Sequence, residues 1–178
     1  DKTYNGVVIK LSGNFNNISL LSNEIVIAGS AVSDKSLSEF TMKNSIGGFE
    51  FLACIPGTIG GGLRINSGCF GTEFKDILVS VQAVDRKGMM HTIPASKIDF
   101  KYRTSPLDKE LIFLSASFQG KPKNKNEIIK IIKDYKKKKE IAQPTKIKTG
   151  GSTFKNPINQ TDKKVWELIK DSVSLDKK

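Results

Sequence analysis

An α+β fold is predicted by three observations. Short β-branched runs separated by turn residues recur through the first 120 positions. Helical spacing appears in separate stretches rather than alternating regularly with strands. The composition, 38% hydrophobic and 26% charged over 178 residues, is that of a chain able to bury a core. No apolar run approaches the roughly 18–20 residues of a membrane-spanning helix.

Taken in order, Val7–Leu11, Ile18–Leu21 and Ile25–Ala28 are expected to form a small antiparallel meander, with Ser22-Asn23 as one of its turns. Ser36–Lys43 places Leu37, Phe40 and Met42 at loosely helical spacing behind the potential caps Ser33 and Asp34, and Gly47-Gly48 is expected to end that helix. Phe49–Gly71 differs in kind, because its glycines sit among apolar residues, too interrupted for a strand and too apolar for a solvent loop. Ile77–Asp85 alternates, with Ile77, Val79, Val81 and Ala83 on one side. Arg86-Lys87-Gly88 then turns the chain into Met89–Ile93, giving a hairpin. Leu111–Phe118 is a further strand. Gly120–Asn126 is a polar linker, and Asn126–Ala142 is a helix with Ile128, Ile129, Ile131, Ile132 and Tyr135 inward and lysines outward; Pro144 stops it. Val165–Lys178 opens an amphipathic segment.

The net charge of +11 is unevenly placed. Residues 1–120 carry 12 Lys+Arg against 11 Asp+Glu, whereas residues 121–178 carry 17 Lys against 7 acids. Without arginine to grip phosphate bidentately and with few aromatics for base stacking, Lys136–Lys139 is expected to be a solvated helix face; a polyanion-binding module is the competing possibility. Cys54 and Cys69 fit neither a C-x-x-C motif nor a cluster with the only histidine, His91, so no metal site is expected; two cysteines suit a reducing compartment.

Three stretches could carry chemistry. Ile55-Pro56-Gly57-Thr58-Ile59-Gly60-Gly61-Gly62, followed by Asn66-Ser67-Gly68 and Gly71, could let amides converge on an anion and let the main chain touch a flat ring; a compact apolar loop is the alternative. Tyr102-Arg103 behind Phe100 sets a guanidinium among aromatics, a way to orient it toward a carboxylate or enolate, or else a surface arginine beside a packed tyrosine. Gly150-Gly151-Ser152-Thr153-Phe154-Lys155-Asn156-Pro157 is a glycine turn whose Ser152 could move a proton or bind phosphate, or simply cap the turn.

Together, I-P-G-T-I-G-G, N-S-G-C-F-G, F-K-Y-R-T-S and G-G-S-T-F-K-N-P, in this order and at these intervals, resemble the MurB family of UDP-N-acetylenolpyruvoylglucosamine reductases. The resemblance runs over nearly the whole chain. It implies an FAD-binding fold of the p-cresol methylhydroxylase (PCMH) type, with FAD reduced by NADPH and hydride then passed to the enolpyruvyl carbon in peptidoglycan synthesis in the cytoplasm. By the resemblance, Ile55, Pro56, Gly57, Thr58, Ile59, Gly60, Gly61, Asn66, Gly68 and Gly71 would lie along FAD. Arg103, supported by Tyr102, would polarise the substrate carboxylate and the developing enolate, Ser152 would protonate C2, and Lys155 and Asn156 would sit near the UDP moiety. The partner is a small nucleotide sugar, with neither membrane nor nucleic acid required.

Cys54, Ser67, Cys69 and Phe70 depart from the family's usual residues, and the seven positions between Arg103 and Leu111 match the shorter-loop subgroup. No counterpart of the family's N-terminal flavin loop or C-terminal glutamate segment is present, so the chain is expected to begin and end inside a longer protein. The implied domains are residues 1–120 for FAD and substrate, 121–147 as linker and helix, and 148–178 as the start of a substrate domain. A flavin- or nucleotide-binding remnant without turnover is the alternative.

Overall fold

The structure is a computed structural model that describes residues 5–142 and 154–173. Contacts divide the chain into two units, Asp1–Gln143 and Pro144–Lys178. In the first unit the elements are β1 (Ile18–Leu20), β2 (Ile25–Gly29), α1 (Asp34–Lys43), β3 (Ile46–Gly47), α2 (Ile59–Ile65), β4 (Gly68–Cys69), β5 (Thr72–Glu73), β6 (Leu78–Val84), β7 (Met90–Pro94), β8 (Ile112–Gln119), β9 (Lys121–Pro122) and α3 (Lys125–Ala142). The second unit contributes α4 (Val165–Ser172).

An antiparallel sheet of order β1-β2-β8-β6-β7 carries the first unit. One face is apolar because alternate residues of adjacent strands point the same way: Val26 and Ala28 of β2, Ala116 and Phe118 of β8, and Val81 and Ala83 of β6 are all buried. Against that face, Phe118 meets Phe49 and Phe74 edge-on at ring separations of 6.3 and 5.9 Å, and Phe74 meets Phe51 at 6.3 Å. Leu37 of α1 and Ile59 and Leu63 of α2 complete the core.

Local chemistry sets the helix boundaries. The Ser33 hydroxyl accepts from the Ser36 amide at 3.0 Å and starts α1. That helix ends at Asn44, followed by Ser45 in the left-handed region (φ 58°), not at Gly47-Gly48 as the sequence suggested. Gly47 instead pairs with Lys121 in the β3–β9 ladder. In α3, Ile128 and Ile132 are buried, while Ile129, Ile131 and Tyr135 are half-buried on the same side, as the spacing predicts. Lys136, Lys137 and Lys138 are exposed, whereas Lys139 turns in to donate to the carbonyl of Cys54.

Two expectations are corrected. Val7–Leu11 forms no strand: among the described residues no neighbour takes its backbone ladder, and Val7, Val8 and Ile9 are exposed. In the hairpin, Val79 faces outward and Leu78 inward, because a bulge between Leu78 and Ser80 in the β6–β8 pairing shifts the alternation by one residue.

In the second unit, the Lys164 amide donates to the Glu167 side chain at 2.6 Å and the Val165 amide to the Asn156 side chain at 3.1 Å, which satisfies the start of α4. Trp166 and Ile169 on that helix are exposed.

Candidate functional site

Helix α2 is the spine of the candidate site. Its first turn is stitched to the end of β2: the Ile59 amide donates to Val32 O and the Gly60 amide to Ser30 O, each at 2.9 Å. Thr58 caps the helix, its hydroxyl accepting from Gly61 N at 3.4 Å and its carbonyl from Gly62 N at 2.8 Å. These four amides are therefore engaged inside the protein, and the anion nest expected from glycine density does not form from them. The glycines serve close approach instead. A Cβ on Gly60 would stand 3.1 Å from Ser30 Cβ, and one on Gly62 would stand within 2.5 Å of two atoms of the Phe74 ring. Gly61 has room, its nearest contact being Thr58 Oγ1 at 3.6 Å.

Beside this end of the helix lies a cleft of about 800 Å3, lined among others by Thr58, Gly60, Ser30, Arg64 and Phe113. The Ser30 hydroxyl is buried and has no hydrogen-bond partner among the described residues. Behind the Ile55–Thr58 loop, both carboxyl oxygens of Asp34 are also buried and without a partner among the described residues, and a Cβ on Gly57 would come within 2.9 Å of one of them. Burial pushes the Asp34 pKa up to about 7.

The other end of α2 is tied down through Asn66. Asn66 caps it in the left-handed region (φ 45°) and is completely buried. Its amide nitrogen donates to Glu73 Oε2 at 2.9 Å and to Lys101 O at 3.3 Å, while its side-chain oxygen accepts from Lys75 N at 3.1 Å. Tyr102 and Arg103 form the tip of a tight turn closed by reciprocal Lys101–Thr104 backbone bonds of 3.0 Å. Arg103 is itself left-handed (φ 53°). Its guanidinium donates to Gly68 O at 2.7 Å and to Asn66 O at 3.4 Å, and sits 5.2 Å from the Tyr102 ring centre.

Arg103, Tyr102, Gly68 and Gly71 line a second hollow of about 410 Å3 with Glu73 and Lys75. Among the described residues no carboxylate pairs with Arg103, so its charge is available to a ligand. Gly68 is obligatory here, since a Cβ would lie 2.4 Å from Thr72 O; Gly71 has φ 83°. Phe70 (φ 55°) stacks on Tyr135 of α3 at 4.3 Å. Cys69 donates to Phe51 O at 3.4 Å, and burial raises its thiol pKa to about 11, while burial also raises that of Cys54. Both thiols are neutral and packed.

Of the expected residues, Thr58 and Gly60 line the larger cleft and Gly68, Gly71, Tyr102 and Arg103 line the smaller hollow, whereas Ile55, Pro56, Gly57, Ile59, Gly61 and Asn66 line neither. Ser152 falls outside the described residues. Lys155 and Asn156 belong to the second unit, where Asn156 caps α4. Sequence reasoning missed Ser30, Asp34 and Arg64. The last had a legible signal, as the single cation in the apolar run Ile59–Ile65. Among the described residues there is no metal-ligating cluster and no helix long and apolar enough to cross a membrane.

The arrangement suits a bulky cofactor in the larger cleft. Apolar walls, an orphaned hydroxyl and a guanidinium match a ligand that is partly flat and apolar and partly anionic, and the volume falls in the range of cofactor pockets, about 300–1,000 Å3.

Comparison with known proteins agrees. A model of the FAD binding domain family matches residues 1–94. The UDP-N-acetylenolpyruvoylglucosamine reductase of Pelagibacter ubique is 66% identical over 99% of this chain, and that of Rickettsia massiliae 44% identical over 96%. The crystal structure of UDP-N-acetylenolpyruvylglucosamine reductase (MurB) from Thermus caldophilus superposes with a TM-score of 0.80 over 92% of the chain at 26% identity. The chain spans 58%, 56% and 57% of the lengths of these three proteins.

Proposed function

Since this chain belongs to the FAD binding domain family, and within it to the MurB type, we propose that its protein is the NADPH-dependent flavoenzyme that reduces UDP-N-acetylglucosamine enolpyruvate to UDP-N-acetylmuramate for peptidoglycan synthesis. The observation that carries this reading is Arg103: a guanidinium with no carboxylate partner among the described residues, clamped to Gly68 O and Asn66 O in a hollow that shares its supporting helix with the cofactor-sized cleft.

Bound FAD supplies a two-electron carrier able to accept hydride from NADPH and deliver it to the enolpyruvyl carbon. Ser30, Thr58, Gly60 and Arg64, which line the larger cleft, would hold it, with the rest of the Ile55–Gly61 segment and Asn66, Gly68 and Gly71 alongside. Arg103 grips the substrate carboxylate and stabilises the negative charge that develops on it as the double bond is reduced. Because its backbone turn and two carbonyl anchors are already set, little reorganisation accompanies that step. The Tyr102 ring fixes the guanidinium plane. Ser152 delivers the proton to C2, and Lys155 and Asn156 contribute to nucleotide binding. On this reading residues 1–120 form the FAD and substrate domain, 121–147 are a linker and helix, and 148–178 begin a further substrate domain. The partner is a small nucleotide sugar, and the enzyme works in the cytoplasm.

The test is the visible spectrum of the protein over its complete reading frame. A flavin spectrum that bleaches with NADPH under anaerobic conditions, and recovers on adding the enolpyruvyl nucleotide sugar, is expected. Bleaching without recovery would overturn the substrate assignment. A colourless protein that takes up no FAD would overturn the flavoenzyme reading altogether.

A further inference from the structure

Arg64 stands in the last turn of α2 and lines the larger cleft. Its Nη1 donates to Leu107 O at 3.1 Å and Asp108 O at 2.9 Å, its Nη2 donates to Leu111 O at 2.7 Å, and its guanidinium carbon sits 4.1 Å over the Phe113 ring. Among the described residues no carboxylate is within ion-pair distance of it. Burial lowers its pKa, partly offset by the charge of Asp108. A partly desolvated cation held by three carbonyls and a ring is a strut. What it supports is the descending limb of residues 99–111. The ascending limb hangs from the same C-terminal end of the helix, through Asn66 to Lys101 O and through Arg103 to Asn66 O and Gly68 O. The loop that aims Arg103 is therefore suspended from α2 at two points, and one of them, Arg64, lines the 800 Å3 cleft.

We propose that Arg64 is a positioning residue that couples occupancy of the cleft to the aim of Arg103. The inference builds on the flavoenzyme reading. A ligand filling the cleft displaces water from the guanidinium and strengthens its three carbonyl bonds, which stiffens the loop that carries Arg103. By reciprocity, a carboxylate gripped by Arg103 tightens the ligand in the cleft.

The test uses the complete protein as wild type, Arg64→Met and Arg64→Lys, each also in an Arg103→Met background. FAD affinity is read from quenching of flavin fluorescence. Affinity for the enolpyruvyl nucleotide sugar is read, without NADPH, from the perturbation of the bound flavin spectrum. Arg64→Met is expected to weaken both by about tenfold. Arg64→Lys is expected to recover much of the FAD affinity but not the nucleotide-sugar affinity, because an ammonium cannot bridge three carbonyls in a plane. With Arg103 replaced, Arg64→Met is expected to leave nucleotide-sugar affinity unchanged while still weakening FAD. An equal nucleotide-sugar loss in both backgrounds would show that Arg64 acts without Arg103, and unchanged FAD affinity would show that the cleft is not involved; either overturns the coupling. If Arg64→Met does not fold, the lysine variant in the two backgrounds gives the same comparison. A wild type that binds no flavin overturns the flavoenzyme reading and this coupling with it, whereas a flavin-binding wild type with an indifferent Arg64 overturns the coupling alone.

Discussion

The two ends of α2 are built on opposite plans. At the Asn66 end the amide and charged side chains are joined to one another: Asn66 binds three groups, Arg103 two, and Glu73 both Asn66 and Lys75, and among the described residues only the nearby Ser105 hydroxyl is buried without a partner. At the Thr58 end the Ser30 hydroxyl and both oxygens of Asp34 are buried with no partner among the described residues. Buried polar groups are nearly always bonded in finished proteins, so an orphan beside a cleft marks a place where a ligand completes the structure. The contrast separates a tool set in advance from a socket awaiting its contents. The connected end needs rigidity to aim a charge; the other needs unsatisfied capacity to bind.

The strongest way to break this contrast is at Arg103. Arg103→Lys in the complete protein is expected to lower kcat/KM by about 10²–10³ with FAD content unchanged, because a point charge cannot keep both carbonyl anchors and a bidentate grip on a carboxylate. Steady-state kinetics with flavin quantification decides it. Full activity in the lysine variant would remove the preset tool.

Asp34 tests the opposite end through pH. Its folded-state pKa of about 7 lies above the ordinary 3.8, so the folded protein keeps a proton that the unfolded chain gives up between those values. Stability then falls as pH rises through that window and is flat above it. Asp34→Asn is expected to be more stable than wild type by about 4 kcal/mol at pH 8, with the gap closing steadily toward pH 4. Denaturant titrations across pH measure it, and a gap independent of pH would mean that the carboxyl finds a partner.

Two glycines sharpen the comparison further. Gly68→Ala places a methyl 2.4 Å from Thr72 O and 2.8 Å from Glu73 Cα, and is expected to cost about 2 kcal/mol in chemical denaturation. Gly61→Ala meets only Thr58 Oγ1 at 3.6 Å and lies in a helix, so the protein without FAD is expected to gain about 0.5–1 kcal/mol. Calorimetry with and without FAD would also show that gain shrinking on cofactor binding if the segment lies against the ligand.

How much of this was legible depends on the reach of each signal. The hairpin, α1 and the inward face of α3 were readable because periodicity and caps are local properties. The bulge at Val79 was not, since it is set by the β8 partner rather than by the alternation of β6 itself. The Phe49–Gly71 segment was picked out as one whose backbone meets something closely, and the partners are Ser30, Phe74 and Thr72 of the protein itself, which no spacing reveals. Tyr102-Arg103 was singled out from composition. Its left-handed turn and its attachment to Asn66 arise only when residues 35 and 37 positions apart meet. Arg64 was passed over because its partners, Leu107, Asp108 and Leu111, offer carbonyls, which leave no mark in a sequence.

The strand order also governs assembly of the sheet. β8 occupies its centre, pairing with β2 on one side and β6 on the other, yet it is the last of the five strands to be synthesised. Before Gln119 emerges from the ribosome, β1–β2 and β6–β7 can exist only as separate two-stranded ribbons, each with an open edge and marginal stability. One insertion then joins Ile25 to Gln119 and Val84 to Ile112 and buries both inner faces together. Closing a ladder over such sequence separations makes folding slow and late, with the apolar ribbons exposed to other nascent chains until the central strand arrives.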